Sequence, residues 1–360
     1  MHILHLSTAL TWRGGEQQIA YLYHGLHDLK IKQTVLCSSK SSLVGYCNKY
    51  SLSVIHIPKG GSISWAYAKK IKELVIANNT AIIHVHDSHA HNNAIIAATF
   101  LGVKTPIVLH RRVDFGVTKN FFSKYKYNHP NIKRIICVSQ AIKDVLAPSI
   151  MDTSKIRIVH SGVDTKKEVN TDGRLRRLLN FPNDAIIIGN VAALADHKDP
   201  YTFLKVADAL KDHAQYYFVW IGGGEMEQEV KQEIVRKGLQ KRVILTGFRK
   251  DIRDVMPELS IFMMTSKTEG LGTSILDAYM SEIPVIATAA GGIPELVEHG
   301  KTGLLAPIGD AEALAMHILH LSVDSEYTQN LVAAAKEKAL QFDYHVMAGK
   351  VFEIYKEVLS

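Results

Sequence analysis

The stretch Ile261-Phe262-Met263-Met264-Thr265-Ser266-Lys267-Thr268-Glu269-Gly270-Leu271-Gly272-Thr273-Ser274-Ile275-Leu276-Asp277 decides the fold. Four apolar residues with no in–out alternation read as a strand buried on both faces, as in a parallel sheet covered by helices. A polar loop follows and ends at Glu269. Gly270 and Gly272 lead into Thr273, which opens a helix over Thr273–Met280. Strand, loop and helix, with an acid and glycines at the junction, is the unit a doubly wound sheet repeats at the carboxyl ends of its strands.

The same unit recurs on both sides. Strands are expected at Ile186–Val191, Tyr217–Ile221, Val243–Leu245, Val285–Ala287 and Gly303–Leu305, with helices at Pro200–Leu210, Glu225–Val235 and Ala311–Leu321. An earlier series has strands at His2–Leu6, Gln33–Cys37, Val54–Ile57, Ile82–His86, Ile107–His110, Ile135–Val138 and Ile156–Val159. Its helices fall at Glu16–Leu26, Trp65–Ala77 and Asn92–Leu101. The expected fold is α/β, with two Rossmann-like doubly wound domains facing across a cleft. The first covers 1–163 and the second 185–343; the Lys-, Arg-, Asp- and Asn-rich 164–184 reads as an inter-domain connection. Tyr344–Leu359 reads as a terminal helix, within a 344–360 segment expected to pack back on the first domain.

A chain of 360 residues that is 47% hydrophobic has enough apolar surface for two cores. No apolar run reaches the ~18–20 residues of a membrane span, and Met1–Leu10 lacks the charge and cleavage pattern of a secretory leader. Cys37, Cys47 and Cys137 have neither metal-site nor disulfide spacing and suit a reducing, cytoplasmic setting. The net charge of +7 suits phosphate ligands or an anionic surface, and no nucleic-acid-binding signature accompanies it. Residues 119–134 interleave basic side chains with Phe121, Phe122, Tyr125 and Tyr127, a composition that fits peripheral contact with an anionic membrane or a cover over the core.

Chemistry is expected at the strand ends. Arg13-Gly14-Gly15-Glu16 joins the first strand to its helix, where small residues and free N–H groups admit an anion or serve as a tight turn. Lys198 lies between a strand end and the helix at Pro200, within reach of a phosphate unless it is a solvated surface lysine. Gly222-Gly223-Gly224 sits at a comparable junction. Glu269 and Asp277 flank the helix start formed by Gly270, Leu271, Gly272 and Thr273; a diphosphate can lie on that start while the carboxylates accept hydrogen bonds from sugar and ribose hydroxyls. His110-Arg111-Arg112 suits an acceptor carrying phosphate or carboxylate or forms an exposed basic loop, and His86 ends the preceding strand. The cluster His84, His86, His89, His91 divides between strand and loop and lacks a cysteine partner or a His-Glu-x-x-His pattern, so no metal site is expected.

Together these motifs resemble the retaining glycosyltransferases of family 4, of GT-B fold, most specifically over Ile186–Pro307. In that family a Gly-Arg-Leu, a short gap and a lysine hold the donor phosphates. Here the stretch is Ala192-Ala193-Leu194 and then Lys198, so the arginine is replaced and a second cation would come from Arg13 or Arg249. The family's two glutamates, eight positions apart, correspond to Glu269 and Asp277. Gly291-Gly292-Ile293-Pro294-Glu295 and Ser161-Gly162-Val163-Asp164 resemble its downstream and hinge signatures.

The resemblance implies transfer of a hexose-type sugar, with retention, from a nucleotide-diphosphate sugar to a glycan or lipid-linked acceptor in cell-envelope polysaccharide synthesis. His110, Lys198 and Glu269 would be catalytic. Gly14, Gly15, Lys198, Gly222, Glu269 to Thr273, and Asp277 would bind the donor. Arg13, His86, His110, Arg111 and Arg112 would bind the acceptor. No Asp-x-Asp element is present, and neither metal nor cofactor is expected. A cytoplasmic enzyme, peripheral at the membrane's inner face, is implied. A nucleotide-sugar epimerase of the same fold and a non-catalytic nucleotide-sugar binding protein are the alternatives.

Overall fold

The computed structural model describes residues 1–58, 62–117, 121–166 and 173–360. The chain divides into two compact units, Met1–Gly162 with Asp343–Ser360, and Val163–Phe342.

In the first unit the strands are β1 (His2–Leu6), β2 (Lys32–Ser38), β3 (Val54–Ile57), β4 (Ile82–Val85), β5 (Ile107–Arg111), β6 (Ile132–Cys137) and β7 (Ile156–Ile158). They form a parallel sheet in the order β3-β2-β1-β4-β5-β6-β7. The helices are α1 (Gly14–Asp28), α2 (Ser42–Lys49), α3 (Trp65–Ala77), α4 (Ser88–Phe100), α5 (Phe121–Tyr127) and α6 (Gln140–Leu146). Continuous burial of β1 and β4 explains their unbroken apolar runs. Capping sets the helix starts: Ser64 and Asp87 accept from the N–H groups of Tyr67 and Ala90. His89 and His91, expected in a loop, therefore lie in the first turn of α4 and beyond it.

The second unit opens with α7 (Arg174–Leu179) and continues through β8 (Ile186–Val191), α8 (Pro200–Ala209), β9 (Tyr216–Ile221), α9 (Glu227–Arg236), β10 (Val243–Gly247), α10 (Ile252–Val255), β11 (Ile261–Met264), α11 (Thr273–Met280), β12 (Val285–Thr288), α12 (Ile293–Leu296), β13 (Leu304–Ala306), α13 (Ala311–Val323) and α14 (Ser325–Leu340). Its sheet is parallel, in the order β10-β9-β8-β11-β12-β13. The core packs Phe203, Phe218, Trp220, Met263, Leu314 and Ile318 between strands and the helices α8 and α13.

The described part of the 164–184 stretch is not a bare connection. Leu175 of α7 is fully buried, and the Glu258 carboxylate accepts from the N–H groups of Leu175 and Arg176, both at 2.9 Å. A carboxylate on the first N–H groups of a helix satisfies orphan donors and opposes the helix dipole.

The last helix, α15 (Tyr344–Leu359), belongs to the first unit. Met347, Ala348, Val351, Ile354 and Tyr355 share a core with Ile3, Leu22, Ile82, Val108 and Ile136. The approach to α1 is close: a Cβ on Gly25 would lie 2.4 Å from that of Ala348.

Candidate active site

Strand order reverses in each sheet at one place, between β1 and β4 in the first unit and between β8 and β11 in the second. Loops after such a strand pair diverge and leave room for a ligand at their carboxyl ends.

At the second switch point, Lys198 lies in a short 3₁₀ turn after β8 and Glu269 ends the loop after β11. The Lys198 ammonium contacts Glu269 Oε2, and both side chains are largely sheltered from solvent. Ser266 Oγ donates to the same carboxylate oxygen at 3.2 Å. The two loops are also joined through their backbones. Thr265 Oγ1 donates to the carbonyls of Lys198 (3.1 Å) and Asp199 (3.0 Å), and Lys267 N–H donates to His197 O at 2.9 Å. Asp199, at φ 49°, caps α8 by accepting from Thr202 N–H at 3.1 Å. Sequence reading passed over Thr265, Ser266 and Asp199; Asp before Pro at a helix start was the available signal.

Beside this pair, α11 begins at Gly272, whose φ of 89° is open to glycine and strained for other residues. The N–H groups of Leu271, Gly272, Thr273 and Ser274 have no acceptor among the described residues. Gly291 fixes the backbone on the other side: its Cβ would sit 2.0 Å from Glu269 O, and Gly292 N–H donates to that oxygen at 2.9 Å. An ammonium, a carboxylate and an unsatisfied helix start are thus held together, an arrangement that can receive an anion with hydroxyls next to it. Asp277 is half-buried and has no side-chain partner among the described residues; desolvation raises its carboxyl to about 6, against a lowering by Arg253.

Two residues of this unit have other duties. Gly222 is glycine because Ala192 O would lie 2.0 Å from its Cβ, and its N–H donates to Gly247 O at 3.0 Å, so it binds three strand-end loops together. Arg249 forms a bidentate pair with Asp251 (2.9 and 2.6 Å), which neutralises the cation that could have replaced the missing arginine at Ala193.

At the first switch point, the Asp87 carboxylate accepts from Thr8 N–H (2.6 Å), Thr8 Oγ1 (2.7 Å) and Ala90 N–H (2.8 Å). Arg13 is exposed at the N-cap of α1, and its N–H donates to Glu16 at 3.0 Å. Gly14 is exposed, and a Cβ on Gly15 would meet open space. His110 is buried at the end of β5 with Nδ1 unpartnered, its ring parallel to that of His84 at 5.4 Å. Arg111, expected to meet an acceptor, is instead buried in the unit. Its guanidinium donates to Tyr127 Oη and Phe115 O and lies over both rings, a scaffold role.

His5, missed in the sequence, joins His84 and His86; their ring nitrogens lie within 4.8 Å of one another and are spaced for a metal ion. Hydrogen bonds already occupy both ring nitrogens of His5 and His86 and Nδ1 of His84, while His84 Nε2 is buried without a partner among the described residues. Arg112 Nη2 donates to His86 Nδ1 at 3.2 Å, so neutral His86 carries its proton on Nε2 and donates to His5 Nδ1 at 3.0 Å. His5 Nε2 donates to Gln33 Oε1 at 3.0 Å, and the Gln33 amide donates to Tyr23 O at 3.0 Å. His84 Nδ1 meets Tyr355 Oη at 2.5 Å. Burial keeps His84, His86 and His110 well below the usual imidazole range, and His5 at about 4.

Two parallel α/β units with these switch-point sites define the GT-B class of α/β protein. Residues 172–338 match the family model described as glycosyl transferases group 1, and residues 12–167 match that of glycosyltransferase family 4. Each half of the chain is thus similar to a glycosyltransferase family model, and the fold is GT-B. Among curated relatives, it is 27% identical over 67% of its length to the amylovoran biosynthesis glycosyltransferase AmsK of Erwinia amylovora. It is 26% identical over 68% of its length to the UDP-Gal:alpha-D-GlcNAc-diphosphoundecaprenol alpha-1,3-galactosyltransferase of Escherichia coli. The matched regions span 61% and 66% of those two proteins. Among solved structures, Anabaena HepE in complex with UDP and glucose superposes with a TM-score of 0.87 at 21% identity, covering 99% of this chain and all of that one. A glycosyltransferase from Rickettsia africae gives 0.85 at 21% identity, over 100% and 98% of the two chains. Among the described residues no helix is long and apolar enough to cross a membrane.

Proposed function

We propose that this chain transfers a hexose from a nucleotide-diphosphate sugar to a glycan or lipid-linked acceptor, with retention of anomeric configuration and without a metal. The convergence of Lys198 and Glu269 beside the unsatisfied start of α11 carries this reading. The N–H groups of α11 and the Lys198 ammonium take the diphosphate and stabilise the charge that grows on it as the glycosidic bond breaks. Glu269 then accepts from hydroxyls of the donor sugar, and Asp277 from the ribose. The leaving diphosphate takes the acceptor hydroxyl's proton as that oxygen attacks from the same face. His110 positions the sugar and acceptor and forms no covalent bond.

Relatives named for amylovoran and for diphosphoundecaprenol glycans support a cell-envelope polysaccharide as the destination. A cytoplasmic enzyme with peripheral membrane contact fits the described part of 119–134, where Phe121 is 86% exposed and Phe122 and Tyr125 are also exposed. Lys119 lies outside the described residues.

Labelled UDP- and GDP-hexoses, incubated with and without lipid-diphosphate acceptors, test the proposal. Acceptor-dependent product with the donor's anomeric configuration is expected. Isomerised donor without an acceptor, or binding with no reaction, would replace it with the epimerase or the binding-protein reading.

A further inference from the structure

Arg111 ends β5 and Arg112 follows it, and the structure treats the two differently. Arg111 is enclosed, with its guanidinium on Tyr127 and Phe115. Arg112 is half-buried, and among the described residues its hydrogen bonds go only to His86: Nη2 to Nδ1 at 3.2 Å and Nη1 to the carbonyl at 3.4 Å. Its Nε is buried with no partner. No carboxylate lies within ion-pair distance of it among the described residues. Glu16 and Asp87 act on it from farther away; Glu16 accepts from the Arg13 N–H, and Asp87 from the N–H groups of Thr8 and Ala90 and from Thr8 Oγ1. A desolvated guanidinium without a counterion is costly unless something outside the fold completes it.

The residues behind Arg112 hold it without neutralising it. A guanidinium can only donate, so His86 Nδ1 must accept, and every later link through His5 and Gln33 to Tyr23 O then has one possible direction. The imidazoles along this chain are uncharged, so the chain supplies orientation and no opposing charge.

We propose that Arg112 is the oxyanion-recognising residue of the N-terminal unit, positioned by the His86–His5–Gln33 chain, and that its ligand is a phosphate or diphosphate group. The sugar-transfer reading is needed to say which substrate brings that group; the anion chemistry stands without it. A fork of N–H groups held from behind matches paired phosphate oxygens.

The test is calorimetric titration of inorganic pyrophosphate into the full chain carrying Lys198→Ala, which removes the cation from the site on the second unit and leaves Glu269 to repel the anion there. Adding Arg112→Gln should weaken pyrophosphate binding at least tenfold, and Arg112→Lys should weaken it less. The ligand-free Tm of Arg112→Gln should equal or exceed that of the parent, because an uncompensated buried charge is gone. His86→Leu should weaken pyrophosphate binding as Arg112→Gln does, and His86→Gln should restore part of it. Unchanged affinity in Arg112→Gln, no pyrophosphate binding in the Lys198→Ala chain, or a fall in Tm that Arg112→Lys reverses would overturn the proposal, the last by making Arg112 a scaffold residue. In wild-type background, a tenfold rise in acceptor KM at unchanged UDP affinity assigns the anion to the acceptor; weakened UDP binding assigns it to the donor. Loss of sugar transfer in the wild-type chain would leave the pyrophosphate result standing.

Discussion

The Lys198 ammonium rests on the Glu269 carboxylate, joining residues 71 positions apart through loops that follow adjacent strands. Each charge satisfies the other until a ligand arrives. In the proposed reaction a diphosphate draws the lysine away and leaves the carboxylate for sugar hydroxyls, so the predictions below test the pair as a receptor whose halves separate on use.

Replacing either member should therefore affect chemistry more than folding. Lys198→Ala and Glu269→Ala are each expected to reduce turnover by about 10²–10³-fold. The stability cost should be about 1–3 kcal/mol, since a partly buried charge is left unpaired. Circular dichroism should show a folded chain in both variants, and steady-state rates read the loss.

Gly291→Ala tests the wall behind Glu269. A methyl group there meets Glu269 O at 2.0 Å on a backbone with φ of 52°. Destabilisation by more than about 1 kcal/mol is expected, together with weaker donor binding because Glu269 must move. Denaturant melts and donor KM check the two halves separately.

Asp277 gives the second unit a pH dependence of definite sign. Burial raises its carboxyl to about 6 from the ordinary aspartate value of 3.8, so between these values the folded state holds a proton that the unfolded chain has released. Stability from this group is therefore lost as pH rises from about 4 to about 6 and stays lost above it. Asp277→Asn should flatten that segment of the stability profile and raise stability at pH 7 by up to about 2 kcal/mol. Denaturation of both proteins across pH 4–8 measures it.

Most of the scaffold was legible in the sequence because strands of a parallel sheet are largely apolar runs: β1, β8 and β11 keep the limits read from theirs, and so does the half-exposed edge strand β3. Capping moved the less certain edges, as Asp87 did in starting α4 early enough to take in His89 and His91. Polar side chains whose role depends on a distant partner were not legible. Glu258 turns the charged 174–179 stretch into a capped helix, and His5 acquires meaning only beside His86 on the neighbouring β4 side. Gly222 and Arg111 also have structural duties that sequence alone does not show: a glycine facing a ligand and a glycine facing a carbonyl look alike there, and so do an arginine at the surface and one folded over aromatic rings.

The terminal helix should be indispensable to the first unit although it is distant in sequence. Met347→Ala or Ile354→Ala should cost about 2–5 kcal/mol by opening a cavity against the sheet. A chain ending at Phe342 should lose the folded first unit, seen as lost amide-exchange protection in β1 and β4.

The most direct measurement of the central claim is a crystal structure of the chain with a nucleoside diphosphate bound. The account predicts the terminal phosphate against the N–H groups of Gly272 and Thr273, with the Lys198 ammonium turned from Glu269 onto a phosphate oxygen. A diphosphate bound elsewhere, with Lys198 still on Glu269 and the start of α11 untouched, would contradict it.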